Sequence, residues 1–365
     1  MRTRSFITRP YSLALVILII LAISAYFSSH IFEKRSAIRH ITAIYQKQSS
    51  ATYDTSLFHD KTGYQVDVKT STRKQFTSER LKVLSETQRQ RDQHIKRVCI
   101  GELNRRPFTF SAKTLRRDLL LINERLKITF VNDDFKLLVT VVYKTGSQGW
   151  KSVFKQLGER GQNVSSQSLA RKDGILTLSD VLENSGEEAV AYRLKNYFSV
   201  IFVRHPYSRL LSAFRAKLVK LPNDFYVKKA RQIIKKIRRV NNLPKDQVPD
   251  LRFEEFVQFV ANEVSDDEHW CPIYPEVKPC YEYYDFVGHI ETLSDDMEYL
   301  FHLLGIGDIA EYPGSSQAAS SSDTATLKEY FSKISQTTLD KLNSKYKNDF
   351  KVFGYRLPIN NSDFN

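Results

Sequence analysis

Cysteine is scarce in these 365 residues, with Cys99, Cys271 and Cys280 as the whole set. Widely spread and without a C-x-x-C pair, they supply no zinc ligand set, and no metal is expected. The phosphate-loop consensus G-x-x-x-x-G-K-S/T is missing as well, which disfavours a nucleotide kinase. No internal repeat is present. Acidic residues are absent before Tyr11 and nearly absent between Arg209 and Lys245, where 12 Lys/Arg face only Asp224 and carry +11 of the chain's net +14. Such a local excess concentrates polyanions.

One apolar run approaches the length of a membrane span, the 17 uncharged residues Tyr11–Phe27 (YSLALVILIILAISAYF). Arg2, Arg4 and Arg9 before it favour a cytoplasmic N-terminus, although Lys34, Arg35 and Arg39 beyond it weaken the asymmetry. A signal anchor is expected, with a cleaved signal peptide (small residues Ala22, Ser24 and Ala25) as the alternative. From Glu33 to Gln93 no hydrophobic period is sustained, so this stretch reads as a stem, with some helix near Thr77–Gln93. The expected organisation is a tail at 1–10, an anchor at 11–27, a stem at 28–93 and a lumenal domain at 94–365. A lumenal location argues against nucleic acid as the partner of the basic stretch and favours an anionic glycan. It also implies that two cysteines pair and one is left over; Cys271 and Cys280 would close a short loop worth roughly 2.7 kcal/mol. Sequons at Asn163 and Asn360 fit the same compartment.

Within the large domain, strands are expected near Leu137–Tyr143, Ser199–Arg204 and Tyr284–Gly288. They alternate with helices at Glu187–Tyr197, Tyr207–Leu221, Asp224–Val240, Phe253–Val264, Thr292–Leu304 and Gln336–Lys347. That alternation indicates an α/β domain with a mostly parallel sheet covered on both faces. Pro313–Ser322 reads as a surface loop.

Two strand-to-helix junctions stand out. In Asn196–Lys217 (NYFSVIFVRHPYSRLLSAFRAK) a β-branched run stops at Arg204, His205 and Pro206, and a helix follows that carries Ser212. In the other, FKLLVTVVY leads into Lys144, Thr145, Gly146, Ser147, Gln148, Gly149, Trp150 and Lys151. Its glycines allow close backbone approach to a phosphate, its amides form a nest, and Lys144 adds a point charge. Both junctions are anion sites in kind, and two of them in one sheet suggest a ligand with two separated phosphates.

These segments resemble the cofactor-binding loops of the Golgi carbohydrate sulfotransferases, in the branch of the chondroitin/dermatan 4-O-, GalNAc-4-O- and HNK-1 sulfotransferases. The second fits R-H/D-P-F/Y-x-R-L-x-S-A through Arg204, Pro206, Arg209, Leu210, Ser212 and Ala213. The first fits P-K-x-G-C-T-N-W-K through Lys144, Gly146, Trp150 and Lys151. It departs at Tyr143, Ser147, Gln148 and Gly149, so a hydroxyl contact would come from Ser147 or Thr145. HWCPIYPEVKPCYEYYDFVGHIETLSDD resembles a third block, and Tyr346–Tyr355 a closing Y-x-x-D-F-x-x-F-G-Y. In the third block the family's first cysteine falls on Val277, so any disulfide must be re-paired.

The resemblance implies a P-loop-like sulfotransferase fold and PAPS (3′-phosphoadenosine-5′-phosphosulfate) as donor. The Lys144–Trp150 loop would hold the 5′-phosphosulfate, and Arg204 and Ser212 the 3′-phosphate. Sulfuryl transfer further needs a base. His269, between Glu268 and Trp270 with Asp267 close by, is the choice, since acidic neighbours raise its basicity. His205 reads as structural. Glu291 could line the acceptor cleft or cap the following helix. The expected activity is sulfation of a lumenal glycan, GalNAc 4-OH of chondroitin or dermatan first; the alternative is a lectin-like protein that kept the fold without turnover.

Overall fold

The computed structural model describes residues 78–360 and 363, apart from 109, 161–173, 241–248, 264–266, 283 and 314–323. The expected anchor, most of the stem, the sequon at Asn163 and nearly all of the 313–322 loop lie outside the described residues. Among those described, no helix is long and apolar enough to cross a membrane.

Five strands form one mixed sheet: β1 (Thr129–Asn132), β2 (Leu137–Thr140), β3 (Leu176–Thr177), β4 (Phe198–Val203) and β5 (Phe286–His289), in the order β3-β1-β2-β4-β5. The three strands expected from sequence are β2, β4 and β5, and they run parallel, with Val139 opposite Val200 and Ile201 opposite Val287. Every residue of β4 is buried, as a parallel strand covered on both faces requires. The other half corrects the expectation of a mostly parallel sheet: β1 is antiparallel to both β2 and β3. The cause is local. Asn132 Oδ1 accepts the Phe135 amide at 2.9 Å, closing a turn far too short for a parallel crossover.

In chain order the helices are α1 (Ser78–Arg97), α2 (Leu115–Leu121), α3 (Asn123–Lys127), α4 (Ser147–Arg160), α5 (Leu178–Ser185), α6 (Glu187–Asn196), α7 (Pro206–Ala213), α8 (Asp224–Arg238), α9 (Phe253–Asn262), α10 (Ile273–Val277), α11 (Leu293–Leu304), α12 (Thr324–Phe331) and α13 (Gln336–Val352). α7 runs on into a π-helical turn, Phe214–Val219. Packing around Tyr207, Leu211, Phe256, Trp270, Phe331 and Phe350 joins α7, α8, α9, α12 and α13 into one aromatic-rich core.

The stem boundary expected at 93/94 falls inside α1, and α1 belongs to the folded unit. Ile95 shares a core cluster with Ile201 and Val287. Arg91 binds the Val287 carbonyl at 2.9 Å and the buried Asp296 carboxylate at 2.8 Å. A stem must therefore end by Ser78.

The cysteines are also re-paired. Cys99, just after α1, is joined to Cys280, and Cys271 is free. Bridging a separation of 181 residues is worth about 5 kcal/mol in the chain-entropy account, against less than 3 for the short loop expected from sequence. Cys271 instead turns its thiol to the Glu276 carboxylate at 3.3 Å, and burial pushes that thiol up to about 12.

Candidate active site

Beyond β2 the chain reverses through two left-handed residues, Lys144 (φ 71°) and Gly146 (φ 87°), and enters α4 at Ser147. The Trp150 amide bonds the Gly146 carbonyl at 3.2 Å. The amides of Gly146, Ser147 and Gln148 thus lie at the helix mouth, where the first turn has no intrahelical acceptors. Of the two hydroxyls in question, that of Thr145 is buried and donates to the Val142 carbonyl at 2.9 Å. Ser147 is left at the mouth.

β4 ends one strand away, pointing the same way, so its corner abuts the first. Arg204 Nη1 donates to the Lys144 carbonyl at 3.3 Å, and Arg209 Nε donates to the Tyr143 carbonyl at 2.9 Å. The crevice beyond the carboxyl ends of adjacent parallel strands is where open α/β sheets bind ligands. Cations converge there. Burial, then Arg204, Lys217, Lys220 and Arg209, pushes Lys144 down to about 8. Burial likewise brings Arg204 to about 10, against the pull of Glu291. Among the described residues no carboxylate pairs with Lys144. Ser212 is half-buried near the end of α7, and the π-helical turn after it carries Lys217, whose ammonium lies 4.9 Å from the Tyr226 ring.

His269 is brought to the same place, through contacts the sequence did not announce. Its ring stands 4.6 Å from that of Tyr143, the residue before Lys144. Nδ1 lies 2.7 Å from Asp267 Oδ1, and the His269 amide bonds the same oxygen at 3.0 Å. Burial raises the Asp267 carboxyl, but these bonds from His269 hold it below the usual range. With Nδ1–H held by a carboxylate, Nε2 is the ring nitrogen that carries the lone pair of the neutral imidazole. Tyr226 Oη is 3.1 Å from Nδ1.

The loop bearing His269 is clamped by three side chains whose roles do not show in the sequence. Fully buried Arg209 reaches the Glu268 carbonyl at 3.0 Å and the Cys271 carbonyl while holding Tyr143. From the closing block, the Tyr346 hydroxyl donates to the Trp270 carbonyl. Asp349 accepts the Ile273 and Tyr274 amides at 2.7 Å each, capping α10.

Glu291 sits on the Arg204 corner. It accepts the His205 amide at 2.8 Å and the Tyr355 hydroxyl at 2.9 Å. His205 packs edge-on against Tyr207, Phe350 and Tyr355, as a structural histidine does. Burial and the neighbouring Arg204 push it down to about 4, and burial and Arg91 push His289 to about 3. Both are neutral when folded, whereas an unfolded histidine takes its proton near 6.5. The unfolded state binds more protons between those values, so stability is full above about pH 6.5 and is lost as pH falls toward 4. The slope is up to about 1.4 kcal/mol per pH unit for each histidine. Denaturant melts at pH 7, 6 and 5 check this, and a flat profile would contradict it.

Four loop residues have surroundings that the sequence did not show. A Cβ on Gly146 or Gly149 would collide with Tyr312, so the space beside these glycines is taken by that ring. Trp150 is 1 % exposed and packs on Phe154 and Phe202, a core role. Gln148 is exposed. Among the described residues no group of three or more His, Cys, Asp or Glu could hold a metal ion.

Comparison with known proteins bears on this geometry. The model of a family described as "Sulfotransferase family" matches residues 127–356. Carbohydrate sulfotransferase 14 of Danio rerio is 31 % identical over 280 residues, 75 % of this chain and 73 % of that one. Carbohydrate sulfotransferase 11 of Rattus norvegicus is 30 % identical over 258 residues, 68 % and 72 % of the two chains. Carbohydrate sulfotransferase 10 of Danio rerio is 30 % identical over 247 residues, 63 % and 66 %. No solved structure matches.

Proposed function

The chain belongs to the sulfotransferase family, and from that premise we propose that it moves a sulfuryl group from PAPS to a hydroxyl of an acidic glycan, with GalNAc 4-OH of chondroitin or dermatan as first choice. The observation that carries this is the abutment of two anion corners, with Arg204 bonded to the Lys144 carbonyl and a lysine depressed by burial and then by its cationic neighbours. A bisphosphorylated donor answers that charge. The Gly146–Gln148 amides, Ser147 and Lys144 would hold its 5′ end, and Arg204 and Ser212 its 3′-phosphate. When bound, PAPS supplies the sulfuryl group.

Two tasks fall to the protein's own groups. His269 Nε2 takes the proton of the acceptor hydroxyl as its oxygen bonds to sulfur. Lys144 meets the charge left on the phosphate oxygen whose bond to sulfur breaks. The acceptor would approach over α8, whose N-terminal half follows Lys217 and Lys220 and carries exposed Lys228 and the exposed ring of Phe225. That face suits a carboxylated or sulfated polysaccharide rather than a neutral one. The same reading places the protein in the Golgi membrane through residues 11–27, with the domain lumenal.

Incubating the purified protein with radiolabelled PAPS and a panel of desulfated glycosaminoglycans tests the proposal. Label is expected in a GalNAc-containing polymer, with incorporation falling steeply as salt is raised. Transfer to none of the panel would remove the acceptor assignment.

A further inference from the structure

The Lys144 loop is not self-supporting, and its brace comes from far along the chain. Gly146 and Gly149 are conformationally loose residues at the place where the loop must hold three amides in line. Where their side chains would be stands Tyr312. Its ring or hydroxyl would collide with a Cβ at either glycine, its hydroxyl donates to the Gly146 carbonyl at 2.8 Å, and its ring meets Trp150 edge-on at 6.0 Å. The segment is laced to α4 next door: the Glu311 amide bonds Gln156 Oε1 at 2.9 Å, and Gln156 Nε2 bonds the Glu311 carbonyl at 2.8 Å. The glycine at 149, a departure from the resembled pattern, which has asparagine there, is thus matched by a ring that needs the room.

We propose that Tyr312 is a positioning residue for the donor loop: it fixes the left-handed turn at Gly146 and the first turn of α4, so that the amides of Gly146, Ser147 and Gln148 are already aligned when the 5′ end of the donor arrives. This rests on the reading of that loop as the donor site. Alignment in advance saves the ordering cost of binding. Burial holds the phenol up at about 12, so it stays a hydrogen-bond donor throughout the working range.

The test uses the full chain and two readouts. Exchange of the Trp150 amide, which bonds the Gly146 carbonyl, reads the loop without any ligand, and titration with 3′,5′-ADP reads the site. Tyr312→Phe keeps the ring and loses the bond to Gly146. Its Trp150 amide should exchange faster, its affinity for 3′,5′-ADP and its KM for PAPS should worsen roughly three- to tenfold, and kcat and the melting temperature should hold. Gly149→Ala should lose more than tenfold in affinity, and adding Tyr312→Ala should recover part of that loss because the collision is gone. Unchanged exchange and affinity in Tyr312→Phe, or strictly additive losses in the double variant, overturn the inference. A wild-type protein that does not bind 3′,5′-ADP would instead overturn the donor-site reading, with hydrogen exchange still deciding whether Tyr312 orders the loop.

Discussion

Lys144→Ala is expected to weaken 3′,5′-ADP binding ten- to a hundredfold and to lower kcat by a further factor of about 10² to 10³. The first effect is the loss of a charge-assisted contact in a buried site. The second follows because negative charge grows on the departing phosphate during transfer, and a fixed cation at that point counts for more in the transition state than in the ground state. Alanine at the φ of 71° found here is no more strained than lysine, so the fold should survive, and unchanged melting would show it. The wild-type protein carries a companion signature. With Lys144 brought to about 8 by burial and the cations around it, the ammonium is charged below that pH and neutral above it, so donor affinity should decline as pH passes 8, and this decline should be missing in Lys144→Ala. Retention of 3′,5′-ADP binding by the alanine variant would remove Lys144 from the donor site.

His269→Asn should leave 3′,5′-ADP binding within about twofold of wild type and reduce kcat by roughly 10² to 10⁴, the range for a lost general base. Asparagine retains a polar group near Asp267 but has no nitrogen able to accept the proton. Asp267→Asn tests the orienting partner. The imidazole would remain beside Tyr143 and Tyr226, but the carboxylate that holds Nδ1–H would be gone, so kcat should fall less than in His269→Asn and the pH profile should shift. Full turnover in His269→Asn with donor binding intact would place the base elsewhere.

Much of this was legible in the chain itself, for identifiable reasons. The buried runs around Val139, Val200 and Val287 are apolar on both faces, a pattern that parallel strands under helices impose, and all three appeared where expected and in parallel register. Lys144 and Arg204 were legible because each follows such a run and precedes a helix start. Less could be read where the cause was a short turn or a distant contact. The antiparallel edge rests on the Asn132 turn and a two-residue β3, too little chain for periodicity to register. α1 looked like stem because its core contacts are a few residues in a very polar helix, and its place depends on Arg91 finding Asp296. Cys99 could be matched to Cys280 only once α1 was packed.

The amino-acid order alone marked the two strand-to-helix corners, the three buried strands, the basic stretch and the candidate base, because each depends on neighbours within about twenty residues. Tertiary structure decided how these pieces meet: that β2 and β4 lie side by side so that Arg204 touches the Lys144 turn, that Arg209 and the closing helix draw His269 to the same edge, and that Tyr312 fills the space left by two glycines. Those contacts join residues 59 to 166 positions apart. They are selected by packing and burial of the whole domain, which no local pattern encodes.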